Sequence, residues 1–240
     1  MTAPRGSHVL SGTMPEVAGT PPLVYRDVPL LGRPDRLFNL TLQPGEVVAA
    51  VGEENSGVEV LGDLALGLVA PASGAVEVFG LPIAALSYYD LLVFRRRLGY
   101  LPPGDGLLQN LSLRDNVALP VRFATDHRLR EVDAKVTQLI EDFRLRAIAG
   151  LRPAQANEED RRRAAAARAV ALDPKLVVLE LPFVGLTSRA AMDLLERVSK
   201  NEQGGRRTVL LTSRDLTPSV RGLVSRAVRV VDGVASEDVK

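Results

Sequence analysis

Two kinds of apolar pattern alternate along the chain. Val24-Tyr25-Arg26-Asp27-Val28 alternates apolar and polar positions and predicts a short strand; Leu37 to Leu42 predicts a second. After the Pro44-Gly45 turn, Val47-Val48-Ala49-Ala50-Val51 is continuously apolar and closes on Gly52, the pattern of a strand buried on both faces. Helical spacing follows over Val60 to Leu68. Pro71-Ala72-Ser73-Gly74 is a turn, and Ala75 to Phe79 alternates as a strand. Asp90 to Arg97 is helical, and Leu98-Gly99-Tyr100-Leu101 is a strand cut by Pro102-Pro103. Residues 112–149 are expected to be mostly helical, with breaks at Asn116, Pro120 and Asp126-His127. Over 158–172, Glu158, Glu159 and Asp160 suit the positive end of a helix and alanines fill its body; Asp173-Pro174 ends it. Leu176-Val177-Val178-Leu179 and Thr208 to Thr212 are further apolar strands, around a helix over 188–200 that stops at Gly204-Gly205. Val228-Arg229-Val230-Val231 closes the domain. Such alternation predicts α/β layers around a largely parallel sheet. Residues 1–22, rich in Pro, Gly, Ser and Thr without apolar periodicity, are expected to be a disordered leader.

Composition narrows the chemistry. A chain of 240 residues can bury the core of one large domain or two small ones. Lys plus Arg is 30 and Asp plus Glu is 29, so a net charge of +1 argues for neither a nucleic acid partner nor an acidic membrane surface. Cysteine is absent, which excludes disulfides, thiol catalysis and zinc–thiolate sites. His8 and His127 lie far apart in sequence, so no histidine metal site is expected. No apolar run approaches the ~20 residues needed to span a bilayer. The first residues lack the apolar stretch of about 7–15 residues that marks a secretory signal. A soluble cytoplasmic protein is the expectation.

The candidate chemistry lies after the first doubly apolar strand. It runs into Gly52-Glu53-Glu54-Asn55-Ser56-Gly57-Val58-Glu59 and then a helix. Strand, glycine-flanked loop and helix form the frame of a phosphate-binding loop, whose motif is G-x-x-x-x-G-K-[ST]. Gly52 and Gly57 keep the spacing. Val58 stands where lysine would neutralise phosphate, and Glu59 where a hydroxyl would hold Mg²⁺. Glu53 and Glu54 add negative charge to a cradle built for anions. Taken alone, two glycines at this spacing also suit an ordinary strand–helix turn.

The surrounding stretches resemble, in order, the ATPase subunits of ABC transporters over about residues 23–235. Leu40-Thr41-Leu42-Gln43-Pro44-Gly45-Glu46 looks like the segment before their phosphate loop, and Pro71-Ala72-Ser73-Gly74 like their P-x-x-G turn. Arg97 to Leu101 resembles the strand leading to the glutamine loop. Leu111 to Val117 is similar to the L-T-V-x-E-N-V that opens their helical subdomain. Arg163 to Pro174 resembles the helix after the signature motif, and Leu176 to Ser188 the Walker B strand and D-loop. Pro182-Phe183-Val184-Gly185 and Asn116-Val117-Ala118-Leu119-Pro120 look like the MCE/Mla lipid-transport branch. The resemblance implies a P-loop NTPase-like fold: a mainly parallel core sheet, an antiparallel β part and a helical subdomain. It places the core at 23–102 and 161–235, the helical subdomain at about 103–160, and a tail at 236–240.

Carried over position by position, the resemblance also implies losses. Val58 and Glu59 replace the Walker A lysine and hydroxyl, and Pro103 falls on the glutamine-loop glutamine. Asn157, Glu158 and Glu159 fall within the signature motif, at Ala156 to Asp160. Glu180 stands for the Walker B aspartate and Leu181 for the water-orienting glutamate. Thr187 stands for the D-loop aspartate and Ser213 for the switch histidine, while only Pro29, Leu30 and Leu31 occupy the adenine-stacking region. Phosphoryl transfer depends on positioning and on neutralising γ-phosphate charge. Like charges at 4 Å cost ~1 kcal/mol in water and ~4 kcal/mol at an effective dielectric of 20. The expectation is therefore a pseudo-ATPase with no catalytic or metal-binding residues and no cofactor, tight Mg·ATP binding being disfavoured.

Plainer roles compete at several positions. Glu53, Glu54 and Glu59 also suit solvated charges, and Glu158 to Asp160 a helix start. Arg161-Arg162-Arg163 reads as a solvated helix face, and Tyr88, Tyr89, Phe94 and Tyr100 as packing residues. The expected partners are a membrane permease, bound around residues 100–123, and a second ABC ATPase-like chain. Pairing head to tail would set Glu158 and Glu159 against the partner's γ-phosphate, which disfavours a dimer with one full-strength site. Two alternatives stand: an active divergent ATPase in which Arg161 or Arg214 restores positive charge, and a soluble interaction module apart from transporters. The expected place is cytoplasmic, on the inner face of the cell membrane.

Overall fold

The computed structural model describes residues 19–124 and 129–237. Most of the expected leader, the break at Asp126-His127 and residues 238–240 lie outside these. Strand β3 (Val47–Val51) is buried along its whole length, as its unbroken apolar run requires. It pairs in parallel with β8 (Thr208–Ser213) on one edge and β9 (Arg226–Val231) on the other. Strands β7 (Leu176–Glu180) and β6 (Leu98–Leu101) extend the parallel array beyond β8, and β10 (Val234–Glu237) adds an antiparallel edge. The order is β10-β9-β3-β8-β7-β6. A second, antiparallel sheet orders β2 (Phe38–Leu42), β1 (Leu23–Val28), β4 (Ala75–Val78) and β5 (Leu81–Pro82).

The period-two geometry of β3 divides its side chains between two cores. Val47, Ala49 and Val51 face helices α3 (Leu113–Ala124), α4 (Leu129–Asp142), α5 (Glu158–Ala169) and α6 (Ser188–Ser199). Val48 and Ala50 face the second sheet, with Tyr25, Phe38 and the short helix α1 (Leu61–Ala65). Helix α2 (Tyr88–Arg95) and α7 (Pro218–Arg221) complete the helices among the described residues.

Several expectations are corrected. The helix expected over 60–68 is a 3₁₀ turn (Val58–Val60) and α1, ended by Gly67 at φ 61°. The helix expected to reach 172 ends at Ala169, and Asp173 turns the chain at φ 51°. Neither Asn116 nor Pro120 breaks α3. Proline forgoes one helical bond, but Val117, Ala118 and Val121 on the same segment are almost wholly buried and hold the helix against the core. Asn116 is fully buried and fastens the incoming loop: its Oδ1 accepts from the Leu108 amide at 2.7 Å, and its Nδ2 donates to the Leu108 and Ser112 carbonyls at 3.0 Å.

The arginine run is not a solvated face either. Arg162 is 4% exposed and donates to the Gly104 carbonyl, while Arg161 pairs with Asp105 at 3.0 Å. Arg168 adds a bond to the Gly106 carbonyl at 2.8 Å, so α5 binds the loop after β6. Tyr88 and Tyr89 are exposed rather than packed; Phe94 is buried.

Asn116→Ala would strand the Leu108 amide and carbonyl in a dry site. It is expected to lower unfolding stability by about 2–3 kcal/mol, read as a reduced denaturation midpoint with unchanged slope; a midpoint equal to wild type would contradict the role of this side chain.

Candidate functional site

In an open parallel sheet, side chains and loops that do chemistry collect at the carboxyl ends of the strands. Here β3 leads into Gly52, β8 ends at Ser213, β7 ends at Glu180 and β6 leads into Pro102-Pro103. The register aligns Val51 with Ser213 and Glu180 with Thr212, so these ends lie side by side. Gly52 donates its amide to the Ser213 carbonyl at 3.0 Å, which joins the loop to β8.

The loop itself is closed by its own side chain. Asn55 at φ 65° and Gly57 at φ 97° are both left-handed and turn their amides toward one concavity. Glu59 fills it: Oε1 accepts from the Asn55 amide at 2.6 Å and Oε2 from the Gly57 amide at 3.0 Å. Val58, 4% exposed, points into the core beside Leu61 and Leu64. Leu30 lies over Gly57, where an added Cβ would come within 2.8 Å of the Leu30 Cβ. On another side Gly233 donates its amide to the Ser56 carbonyl at 2.8 Å.

Glu180 is 4% exposed and faces inward. It accepts from the Tyr100 hydroxyl at 2.5 Å and from the Gly62 amide in α1. Gly62 is required there, because a Cβ would lie 2.4 Å from Oε1. Burial is the main cause raising the Glu180 carboxyl above its ordinary value; the Tyr100 bond opposes it, Asp63 adds to it, and the Gly62 amide opposes it. The Tyr100 hydroxyl is raised as well, first by burial and then by its bond to Glu180.

The other candidate positions spread outward. Leu181 is held at φ 47° with its amide on the Thr212 carbonyl at 3.1 Å. Ser213 turns its hydroxyl to the Asp215 carbonyl at 2.5 Å. Pro103 is exposed in the loop after β6. Thr187 caps α6 and Asn157 caps α5, each through its side-chain oxygen. Glu159 pairs with Arg163, and Glu158 packs on Gly185 between β7 and α6. Arg161 is committed to Asp105 and the Ala156 carbonyl, away from the loop. Arg214 is exposed and lies 3.9 Å from Glu54 at the loop's edge. Sequence reasoning assigned Tyr100 to packing and did not find its bond to Glu180, a partner 80 residues away.

As arranged, these residues do not fit Mg·ATP. The Asn55 and Gly57 amides hold Glu59, Val58 supplies no cation, and Glu180 is turned to Tyr100 and Gly62. Glu59 is exposed and held by these two hydrogen bonds.

A carboxyl raised on folding favours the native state most at low pH, and that contribution falls as pH climbs from the ordinary carboxyl value through the raised one. Glu180→Gln removes the buried charge. Its stability relative to wild type is expected to increase from about pH 4 upward, followed by thermal unfolding at several pH values; a difference independent of pH would contradict the buried, raised carboxyl.

An ABC transporter family model matches residues 36–184. The chain is 29% identical over 198 residues to an uncharacterized ABC transporter ATP-binding protein, YvcR, of Bacillus subtilis, covering 82% of this chain and 75% of that one. It is 31% identical over 182 residues to the intermembrane phospholipid transport ATP-binding protein MlaF of Haemophilus influenzae, covering 75% and 68%. To the methionine import ATP-binding protein MetN of Caulobacter vibrioides it is 33% identical, covering 84% of this chain but 61% of that longer one. In three dimensions it resembles the dimeric ABC transporter cassette MJ0796 with a TM-score of 0.80 at 23% identity, covering 90% and 97%. The expected fold is thereby established. The expectations of a non-enzyme and of a chain without cofactor are overturned, since the family matched is one of ABC transporters and the curated relatives are ATP-binding proteins. The specific tie to Mla systems is likewise corrected to a broader one, because transporters named for methionine and for phospholipid match alike. The chain belongs to the ABC transporter family, as an ATP-binding domain.

Proposed function

We propose that this chain is the ATP-binding subunit of a membrane transport system, with the carboxyl-end loops Gly52–Glu59, Leu181–Thr187 and Ser213 as its nucleotide site. The observation that carries this reading is the family match over 36–184, which includes the loop and the strand ending at Glu180. ATP with Mg²⁺ is the cofactor of the reading, and a second copy or close relative of the chain is the cassette partner. On this division the core comprises 23–102 and 161–235, and a helical subdomain about 103–160. In head-to-tail pairing, the α5 start at Asn157, Glu158 and Glu159 would face the partner's loop.

A permease would dock around residues 100–123. Support comes from an apolar groove there, formed by Leu92, Leu98, Tyr100, Pro120 and Phe123 and rimmed by Arg95, Arg96 and Arg168. Phe123 is 77% exposed, a large apolar side chain that a partner would cover. No helix among the described residues is long and apolar enough to cross a membrane, so a separate subunit would supply the membrane part. Its place would be the inner face of the membrane. The finer reading is phospholipid transport of the MlaF kind, supported by 31% identity and by Asn116 to Pro120 and Pro182 to Gly185.

Tagged full-length chain extracted with membranes in mild detergent is expected to carry an integral membrane subunit with it, identified by mass spectrometry. Phe123→Asp is expected to reduce its recovery about tenfold or more, with unchanged unfolding temperature. Recovery of the wild-type chain without any integral membrane subunit would contradict the proposal.

A further inference from the structure

The amino ends of the central strands frame a cavity of their own. Its volume is about 640 Å³, inside the ~300–1,000 Å³ span of small-molecule sites. Loops that enter β3, β7 and β8 form its walls, together with Phe79 and the segment before β1. The loops at Gly52 and Ser213 lie at the other end of these strands, ~17 Å away along β8 at the rise of an extended chain.

Donors in this wall lack acceptors. Arg207 is 4% exposed; its Nη1 donates to the Val198 and Lys200 carbonyls and its Nη2 to Asp173. Its Nε has no acceptor among the described residues. Thr208, 2% exposed, accepts the Gly45 amide on Oγ1 at 2.9 Å, which leaves its hydroxyl proton to donate. Asn201 accepts the Gln203 and Gly205 amides on Oδ1, and its Nδ2 has no acceptor among the described residues. Buried donors are rarely left unpaired in folded proteins, so their gathering marks a place for an acceptor.

Charge selects that acceptor. Lys175, Arg206 and Arg207 line the cavity against one acid, Asp173, which is paired with Arg207. Arg206 is exposed and has no acidic partner among the described residues. Behind the Phe79 wall, the Arg97 guanidinium stacks 4.9 Å from the ring centroid and adds a further cation. A neighbouring cavity against α4 and α6 shares Arg207 but sets its bases against an equal number of acids. Guanidinium, hydroxyl and carboxamide donors beside unbalanced cations suit the several acceptor oxygens of one compact oxyanion. We infer that the cavity at the amino ends of β3, β7 and β8 binds the phosphoryl group of a small phosphate ester or lipid headgroup. The site is separate from the Gly52–Glu59 loop and does not depend on what that loop holds.

The test titrates sodium phosphate and glycerol phosphate into the full chain at constant ionic strength, read by NMR of the arginine Nε–H and backbone amide resonances. Flotation with phosphatidylcholine vesicles, with and without phosphatidic acid, separates a lipid source from a soluble one. Circular dichroism confirms the fold of each variant. Expected is a saturable shift of the Arg207 Nε–H with the Asn55 and Gly57 amides unmoved, or flotation that requires phosphatidic acid and Arg206. Arg206→Glu, at an exposed position, is expected to weaken binding about tenfold or more, and Lys200→Glu, on the neighbouring cavity alone, about twofold at most. Arg207→Lys, which keeps the charge and removes the Nε–H, is expected to weaken it about tenfold. Absence of both the Arg207 shift and Arg206-dependent flotation, as for a water-filled cavity, would overturn the inference. So would a response confined to the Asn55 and Gly57 amides, or equal weakening by Lys200→Glu and Arg206→Glu.

Discussion

The fold depends on one strand that has no free face and no free edge. Val47–Val51 is buried throughout, pairs with β8 and β9, and sends alternate side chains into two cores. Moving its register by one residue would exchange the contents of both cores. The strand can leave the sheet only at its end, and there Gly52 is pinned to Ser213. That geometry fixes where the loop begins and sets the carboxyl ends of β7 and β8 beside it. The site is thus a consequence of sheet topology before any functional side chain is considered.

Inside that frame the charges are arranged by partnership. Arg162 and Arg168 are drawn to backbone carbonyls of the loop after β6 and tie α5 to the sheet edge. Glu180 is sheltered and balanced by a tyrosine hydroxyl and an amide. Glu59 answers the Asn55 and Gly57 amides. Glu59 and Glu180 thus have internal donors, while Glu53 and Glu54 stand exposed on the loop. The frame of the family is kept while the loop is closed on its own carboxylate.

Much of this was legible in the sequence, for specific reasons. The three apolar strands Val47–Val51, Leu176–Glu180 and Thr208–Ser213 announced themselves because burial on both faces leaves no polar alternation. The glycine spacing at 52 and 57 located the loop. Asn116 and Pro120 misled, since their local preference for breaking a helix was overridden by the packing of Val117, Ala118 and Val121. The arginine run at 161–163 misled in the same way: local charge suggested solvent, while tertiary contacts placed Arg162 against Gly104. The pair Tyr100–Glu180 was hidden because its partners meet only once β6 and β7 pair in register. The substitution to Glu59 was visible, but its consequence depends on the left-handed turns at Asn55 and Gly57, which no residue pattern discloses. For that reason a changed motif was read as a lost cofactor, a conclusion the family relationship does not support.

The most direct measurement is a crystal structure of the full chain grown with Mg²⁺ and a non-hydrolysable ATP analogue. The account predicts nucleotide phosphates at the Gly52–Glu59 loop beside the ends of β7 and β8, with β3 to Gly52 unmoved. A structure with the analogue absent from that loop, or bound elsewhere on the chain, would contradict it.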